Sequence, residues 1–492
     1  MLYVVLLLAH GYVFGHQDLI EITGYLNYLD DPTLYGKDFY IQNITARIPN
    51  ERWMFVQVLD FFNIRSPWSF LVAHFVVAVT MLSGLILIAQ HLIKDHLFAF
   101  LAVFATTVVF YKINLGGNEI YYNTLTSSLV SKAIATWSIF FLLRNKVTTA
   151  ILMLIPTSFI HPLVGIQLFL IFSAIISVQQ IKAGKFLAEL RKLWSIPAYL
   201  LTAGIWLFFL QQQFSEGSLS DATFFEIISF RLAHHFIPAT FGLKNYLILS
   251  PLIIFAWIYF WKKSQTLFWF FNFSILGLLV YTIGVEIFNN ALFLSTQWFK
   301  TTIWLKFFSM MAVSALAYDL FQKYIPRLIK PFTIIFLVAL TGFTLLLFRK
   351  LPDRHITSFD MPWKGQYNDE IAMARLAQRV TPEDALFVTP AYFTHLKYYG
   401  MRSTYVDYKA MVHHKTVLPE WYKRVNEIYM FNNTTNMNSS QRVSSPLTTM
   451  ITSPDWISFS ALGITHLITD EPIDLDATLL GQKGKYYLYE LK

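Results

Sequence analysis

The chain contains no cysteine. That excludes disulfides, thiolate metal sites and cysteine nucleophiles, but it identifies no cellular compartment. Charge is also scarce: Asp, Glu, Lys and Arg make up 14% of the residues, against about 25% in a soluble domain. No Walker-type loop, zinc-ligand spacing or dinucleotide fingerprint is present, so nothing supports the use of nucleotide energy. No short-period repeat is found, nor the two-half hydropathy symmetry that usually marks a secondary transporter.

What the chain has in excess is apolar surface. Over 492 residues, 55% are hydrophobic, with 46 Phe, 26 Tyr and 13 Trp, and the mean hydropathy is +0.47. Apolar runs at residues 1–14, 68–91, 97–112, 124–143, 147–160, 163–181, 194–211, 246–261, 267–287, 298–320 and 332–348 predict about eleven spans of a polytopic all-α membrane protein. The aromatics suit lipid-facing helices and interfacial belts. Residues 1–14 are short for a span, and no small-residue cleavage site follows them. The segment reads as an uncleaved first helix that either continues into the next loop or starts upstream of residue 1.

The net charge of +8 would suggest nucleic acid in a soluble chain. Here the cations collect in alternate short loops: Lys94; Arg144 and Lys146; Lys182, Lys185, Arg191 and Lys192; Lys262 and Lys263; Lys323, Arg327 and Lys330. The positive-inside rule makes those loops and the N-terminus cytoplasmic and places everything after Arg349 outside. No nucleic-acid partner is expected. The cytoplasmic loops are too short to hold a nucleotide-binding domain, so a reaction would need an activated substrate delivered in the membrane.

The expected domains are a membrane domain, residues 1–348, carrying an outer loop 15–67, and a small outer α/β domain, residues 349–492. In the latter, helices at 368–380, 392–399 and 420–430 alternate with strands at 385–389, 403–407, 464–469 and 485–491. Residues 432–445 are polar and read as a loop. Within the first outer loop, residues 51–62 have apolar groups at helical spacing. They fit a helix in the interface plane or a packing helix inside the loop equally well. Residues 147–160 contain Pro156 and are separated from 163–181 only by His161-Pro162. Such broken helices are tolerated where they line a cavity or pack within protein.

Residues 15–42 carry Asp18, Glu21, Asp30, Asp31 and Asp38 in a chain otherwise poor in acids. A carboxylate beside the first span can act as a general base, or hold a divalent cation (Mg or Mn) against a phosphate. Asp18 and Glu21 share a face if helical. Solvation of a surface loop is the bland alternative, and it is favoured for Asp30 and Asp31 because they precede Pro32. Asp38 stays undecided. Arg231, His234 and His235 stand at i, i+3 and i+4, a face suited to phosphate; the competing reading is a loop helix with incidental histidines. Adjacent histidines point about 100° apart, which disfavours metal. His161 lies on the same outer side. Lys132 and Lys306 sit about eight residues, or roughly 12 Å, inside the outer boundary, where a cation normally faces a cavity or a partner. Lys300 can snorkel more easily. Glu119 and Glu286 are candidate partners for these lysines. His395, His413 and His414 read as incidental.

An acid-bearing first outer loop, many spans with short cytoplasmic loops, a broken helix pair and an outer C-terminal domain together resemble the glycosyltransferase C (GT-C) superfamily. More narrowly, DDPTLYGKDFY (30–40), FIHPLVG (159–165), FRLAHHFIPATF (230–241), LAQRVTPEDALFVTP (376–390) and EWYKR (420–424) are similar to an uncharacterised bacterial family of GT-C-like membrane proteins. The resemblance implies an enzyme of the bacterial cytoplasmic membrane that takes sugar from a polyprenyl-phosphate carrier. It nominates Asp18 as catalytic acid or base, with Glu21 as substitute. Arg231, His234, His235, His161, Lys306 and Lys132 are the candidates for the lipid phosphate. The paired acids that directly follow the first span in some protein mannosyltransferases are absent; Asp18 and Glu21 have two residues between them. Two other readings stand beside this one: a non-catalytic GT-C-like subunit with envelope protein partners, and a transporter of a lipid-linked substrate.

Overall fold

The structure is a computed structural model describing residues 2–15, 17–182, 193–215, 217, 219–349, 361–362, 368–429, 456–473 and 477–491. The expected cytoplasmic cations Lys185, Arg191 and Lys192 and the expected loop 432–445 lie outside the described residues. Two compact units emerge. The first is Met1–Tyr12, Val72–Phe208 and Leu232–Phe359; the second is Val13–Leu71, Phe209–Arg231 and Asp360–Lys492.

Among the described residues, six helical stretches are long and apolar enough to cross a membrane: Pro67–Leu92, Pro162–Lys182, Leu243–Lys263, Gln265–Glu286, Ala291–Tyr324 and Pro326–Phe348. His96–Val108, Ser127–Leu143 and Val147–Ile160 are apolar but shorter. The expected run 194–211 is helical across three consecutive segments, Ser195–Tyr199, a π-helical Leu200–Gly204 and Ile205–Ser215. The first helix is only Leu2–His10, about 14 Å at 1.5 Å per residue, because Gly11 follows it at φ +76°.

In the first unit, small and hydroxyl side chains bring helices together, as expected where lipid removes the hydrophobic drive between them. Asn145, at φ 57°, turns the chain between Ser127–Leu143 and Val147–Ile160. Ser138 Oγ then donates to Ala150 O at 2.6 Å and Ser131 Oγ to Thr157 O at 3.2 Å. His161 ends Val147–Ile160 in extended conformation. Beyond it, Gly165 lies so close to Ser158 that a Cβ would fall 2.6 Å from the Ser158 Cα. Ser158 also shares a 2.6 Å hydrogen bond with Tyr199, whose ring stacks on Phe169.

The second unit joins the first loop to the C-terminal segment. Its helices include Ile20–Asp30, Phe39–Thr45, Trp53–Phe61, Asp369–Val380 and Leu418–Tyr429. The strands are β1 (Leu386–Val388), β2 (Ser403–Thr404), β3 (His466–Thr469), β4 (Ala477–Lys483) and β5 (Tyr486–Leu491), in the order β2-β1-β3-β5-β4. The β1 strand pairs in parallel with β2 and β3, whereas β5 runs antiparallel to both β3 and β4. Asn368 caps Asp369–Val380 by accepting from Ile371 N. Strand β4 is missing from the sequence-based reading. Its residues are half-buried to exposed, so it lacks the apolar alternation that announces a strand. In Trp53–Phe61, Phe55, Val56 and Leu59 are buried, while Phe61 and the following Phe62 are exposed. One face of this helix therefore packs within protein.

Within the second unit a buried ion cluster joins the first loop to the C-terminal segment. Asp38 caps Phe39–Thr45 through one oxygen, accepting from Ile41 N at 2.9 Å. Its other oxygen accepts from Lys397 Nζ, from Thr404 N at 2.9 Å and from Thr404 Oγ1 at 3.0 Å. Lys397 also lies 2.8 Å from Asp407 Oδ2. All three charged side chains are buried. Lys397 is followed in the chain by Tyr398 and Tyr399, which pack on Phe14 and Gly15.

Candidate functional site

The chain enters the first loop through Gly15, at φ +69°. A Cβ there would meet the Tyr399 ring at 3.1 Å, and Phe14 packs edge-on against Tyr398 with ring centroids 5.0 Å apart. Glycine serves both needs, the positive φ and the close approach. Gln17–Leu19 then makes a single 3-10 turn leading into Ile20–Asp30.

Three carboxylates of this loop each meet a different basic side chain. Asp18 Oδ1 is 3.2 Å from Lys409 Nζ. Glu21 Oε2 is 2.5 Å from Arg52 Nη2. Glu51 Oε1 is 3.3 Å from His413 Nδ1. The two acids nominated for catalysis thus differ in environment. The Asp18 side chain is 60% exposed, whereas that of Glu21 is 8% exposed and clamped by a guanidinium. Burial pushes the Glu21 carboxyl up, while Arg52 pulls it down. Arg52 itself is driven up, because Glu21 and Glu51 outweigh its burial. Of the two, Asp18 is the reachable carboxylate, and Glu21 is held by Arg52.

Burial alone would raise the Glu51 carboxyl, but His413 and Arg52 outweigh it and hold it at about 2. Its ordinary value is 4.5. A depressed carboxyl contributes stability above its unfolded value and loses it as pH falls through the folded value. We therefore expect the unfolding temperature of the detergent-solubilised chain to fall between about pH 4.5 and 2. In His413→Ala the fall should be smaller and end at higher pH, and a pH–stability profile compares the two. His413 is thus a partner of the acidic loop and not an incidental histidine. His395 likewise pairs with Glu370, at 2.6 Å.

Two of those three basic partners, Lys409 and His413, come from one segment, residues 405–417. Its carbonyls are gripped from several directions: Tyr405 O by Arg424 Nη1 at 3.2 Å, Asp407 O by Trp421 Nε1 at 2.9 Å and Tyr408 O by Arg231 Nε at 3.0 Å. The Arg231 guanidinium also lies 4.7 Å from the Tyr408 ring centroid. Further on, Lys415 reaches Asp221 at 3.6 Å.

The structure does not bring the expected phosphate ligands onto one face. Asp221–Phe236 is interrupted at Leu232, whose φ −128° and ψ 19° are not helical. The i, i+3, i+4 relation of Arg231 to His234 and His235 is therefore lost, and Arg231 falls in the second unit while the histidines fall in the first. His235 Nδ1 is 3.0 Å from Gly116 O, and the two histidine rings lie 4.0 Å apart. His161 is half-buried at the end of its helix.

Lys306 donates to three carbonyls, Phe110 O at 2.8 Å, Tyr111 O at 3.1 Å and Ile113 O at 2.9 Å. An ammonium has three N–H groups, so Lys306 staples the 110–113 loop and has no donor left for a phosphate. Lys132 donates to Glu119 O at 2.5 Å and sits 4.3 Å from the Tyr122 ring centroid. Glu119 is a partner of both lysines: its carboxylate is 3.9 Å from Lys306 Nζ, and burial pushes its carboxyl up to about 7 against the pull of Lys306 and Lys132. Glu286 is not their partner, since its Oε1 accepts from Ala239 N at 2.8 Å. Among the described residues no three His, Asp or Glu side chains converge to hold a metal ion.

A family model described as "Domain of unknown function (DUF6798)" matches residues 368–428. That span includes two of the quoted motifs, 376–390 and 420–424, and the basic residues Lys409 and His413. The motifs at 30–40, 159–165 and 230–241 lie outside it. No curated protein matches the chain. Among solved structures the chain is similar to ArnT from Cupriavidus metallidurans in the apo state, with 11% identity and a TM-score of 0.52; the match covers 100% of this chain and 96% of that one. At that identity the likeness speaks to fold alone. This protein is a multi-pass membrane protein with a fold like that of ArnT, carrying a small C-terminal sheet.

Proposed function

We propose that the protein is a GT-C-type glycosyltransferase. It moves a sugar from a polyprenyl-phosphate-linked donor to an acceptor on the outer face of a bacterial cytoplasmic membrane. The N-terminus is cytoplasmic, and the C-terminal segment shares the outer side with the first loop. The observation that carries this reading is the exposed Asp18 carboxylate at the head of the first loop, paired with a lysine, in a chain of this fold.

Asp18 takes the proton of the acceptor hydroxyl. The acceptor oxygen attacks the anomeric carbon, the bond from that carbon to the phosphate oxygen breaks, and the electron pair leaves with the phosphate. A single displacement inverts the anomeric centre. The phosphate gains one negative charge as it departs, so the site needs a cation fixed near it. His161, His234, His235 and Lys132 remain candidate contacts for the lipid phosphate.

The test is a reconstitution. Purified full-length chain in vesicles is given a polyprenyl-phosphate-linked sugar and a crude envelope acceptor fraction, and the lipids are read by mass spectrometry. Free polyprenyl phosphate should appear in step with a glycosylated acceptor. A preparation that holds a stoichiometric protein partner, contains no polyprenyl lipid and releases no phosphate would favour the non-catalytic subunit instead.

A further inference from the structure

Asp18 needs a nearby cation, and two of the cations expected to supply it are already engaged. Lys306 directs its three N–H groups at three carbonyls. Arg231 donates to the Tyr408 carbonyl and lies over the Tyr408 ring. Asp18 forms an ion pair with a residue that no spacing argument selects, Lys409.

We propose that Lys409 binds the phosphate of a polyprenyl-phosphate substrate at the Asp18 site, and that Arg231 is a positioning residue acting through the Tyr408 carbonyl. The proposal rests on the glycosyltransferase reading above. Three observations support it. The Lys409 side chain is 27% exposed, so the ammonium is reachable, and its pair with Asp18 engages one of three N–H groups. Its backbone is anchored: the two preceding carbonyls are held by Trp421 and Arg231. The Asp407 side chain is held by Lys397, while His413 and Lys415 tie the downstream chain to Glu51 and Asp221. A cation on so constrained a segment is preorganised. Finally, a carboxylate base repels a phosphate that is gaining charge, and a cation beside that carboxylate offsets the repulsion. Lys409 does so at 3.2 Å from Asp18.

The probe is farnesyl phosphate, with farnesol and inorganic phosphate as separate arms, titrated into the detergent-solubilised full chain by calorimetry. Wild type should bind farnesyl phosphate more tightly than either arm. Lys409→Met should weaken farnesyl phosphate on the order of 10- to 100-fold and leave farnesol unchanged, while Lys409→Arg retains most of the affinity. Arg231→Met should also weaken farnesyl phosphate without touching farnesol, a split that loss of folded protein cannot produce. If Lys409→Met does not fold, Lys409→Gln and Lys409→Arg make the same comparison. Unchanged farnesyl phosphate affinity in the Lys409 variants overturns this assignment and leaves the glycosyltransferase reading intact. No preference for farnesyl phosphate over farnesol in wild type overturns both. Equal affinity for inorganic phosphate overturns the lipid assignment.

Discussion

Replacing Lys397 by methionine should destabilise the protein by about 3–5 kcal/mol, because it strips the cation from two buried carboxylates. Asp38, Lys397 and Asp407 are each almost fully buried. Burial alone would push the Lys397 ammonium down, but Asp38 and Asp407 together hold it up, and burial drives the Asp407 carboxyl up. Thr404 links the two acids: its hydroxyl is 3.0 Å from Asp38 and 2.8 Å from Asp407. Methionine fills much of the lysine volume, so the loss is electrostatic and not a cavity effect. Denaturant unfolding in detergent measures it. Adding Asp38→Asn and Asp407→Asn should restore part of the loss, since replacing a whole buried ion cluster is far milder than removing one partner. A single variant as stable as wild type would mean that the cluster is neutral.

Asp18→Asn should lower sugar transfer by about 10²- to 10⁴-fold, the usual contribution of a general base, while leaving the unfolding profile unchanged. The asparagine oxygen can still accept from Lys409, and the side chain is mostly exposed, so little packing is disturbed. Glu21→Gln gives the opposite pattern. It takes the negative partner from Arg52 in a buried setting, and stability should fall before the chemistry does. Turnover assays run beside unfolding curves separate the two acids. Undiminished transfer by Asp18→Asn would remove this carboxylate from the mechanism.

Hydropathy made the membrane class legible, because a span must be apolar along its whole length whatever packs around it. The spans show its limits. The 14-residue opening run yields a helix of only Leu2–His10, since a glycine at positive φ ends it. The C-terminal strands of alternating or buried character were legible, but β4, exposed along much of its length, was not. The candidate site was half legible. Asp18 stands out as an acid in an acid-poor chain, but nothing marks Lys409 as its partner 391 positions away, because residues that distant meet only through the tertiary fold. The Arg231 face failed for a related reason. A spacing of three and four predicts a shared face only where the backbone stays helical, and Leu232 does not.

By itself, then, the sequence determined that this chain lives in a membrane, which loops carry its cations and where an isolated acid follows the first apolar run. These are properties of composition and local periodicity. Only the tertiary structure decided that Glu21 is clamped while Asp18 is reachable, that Lys306 serves carbonyls, and that Asp38 belongs to a buried ion cluster with Lys397. Burial and pairing depend on what the rest of the chain brings to each charge, and that is not written in neighbouring residues.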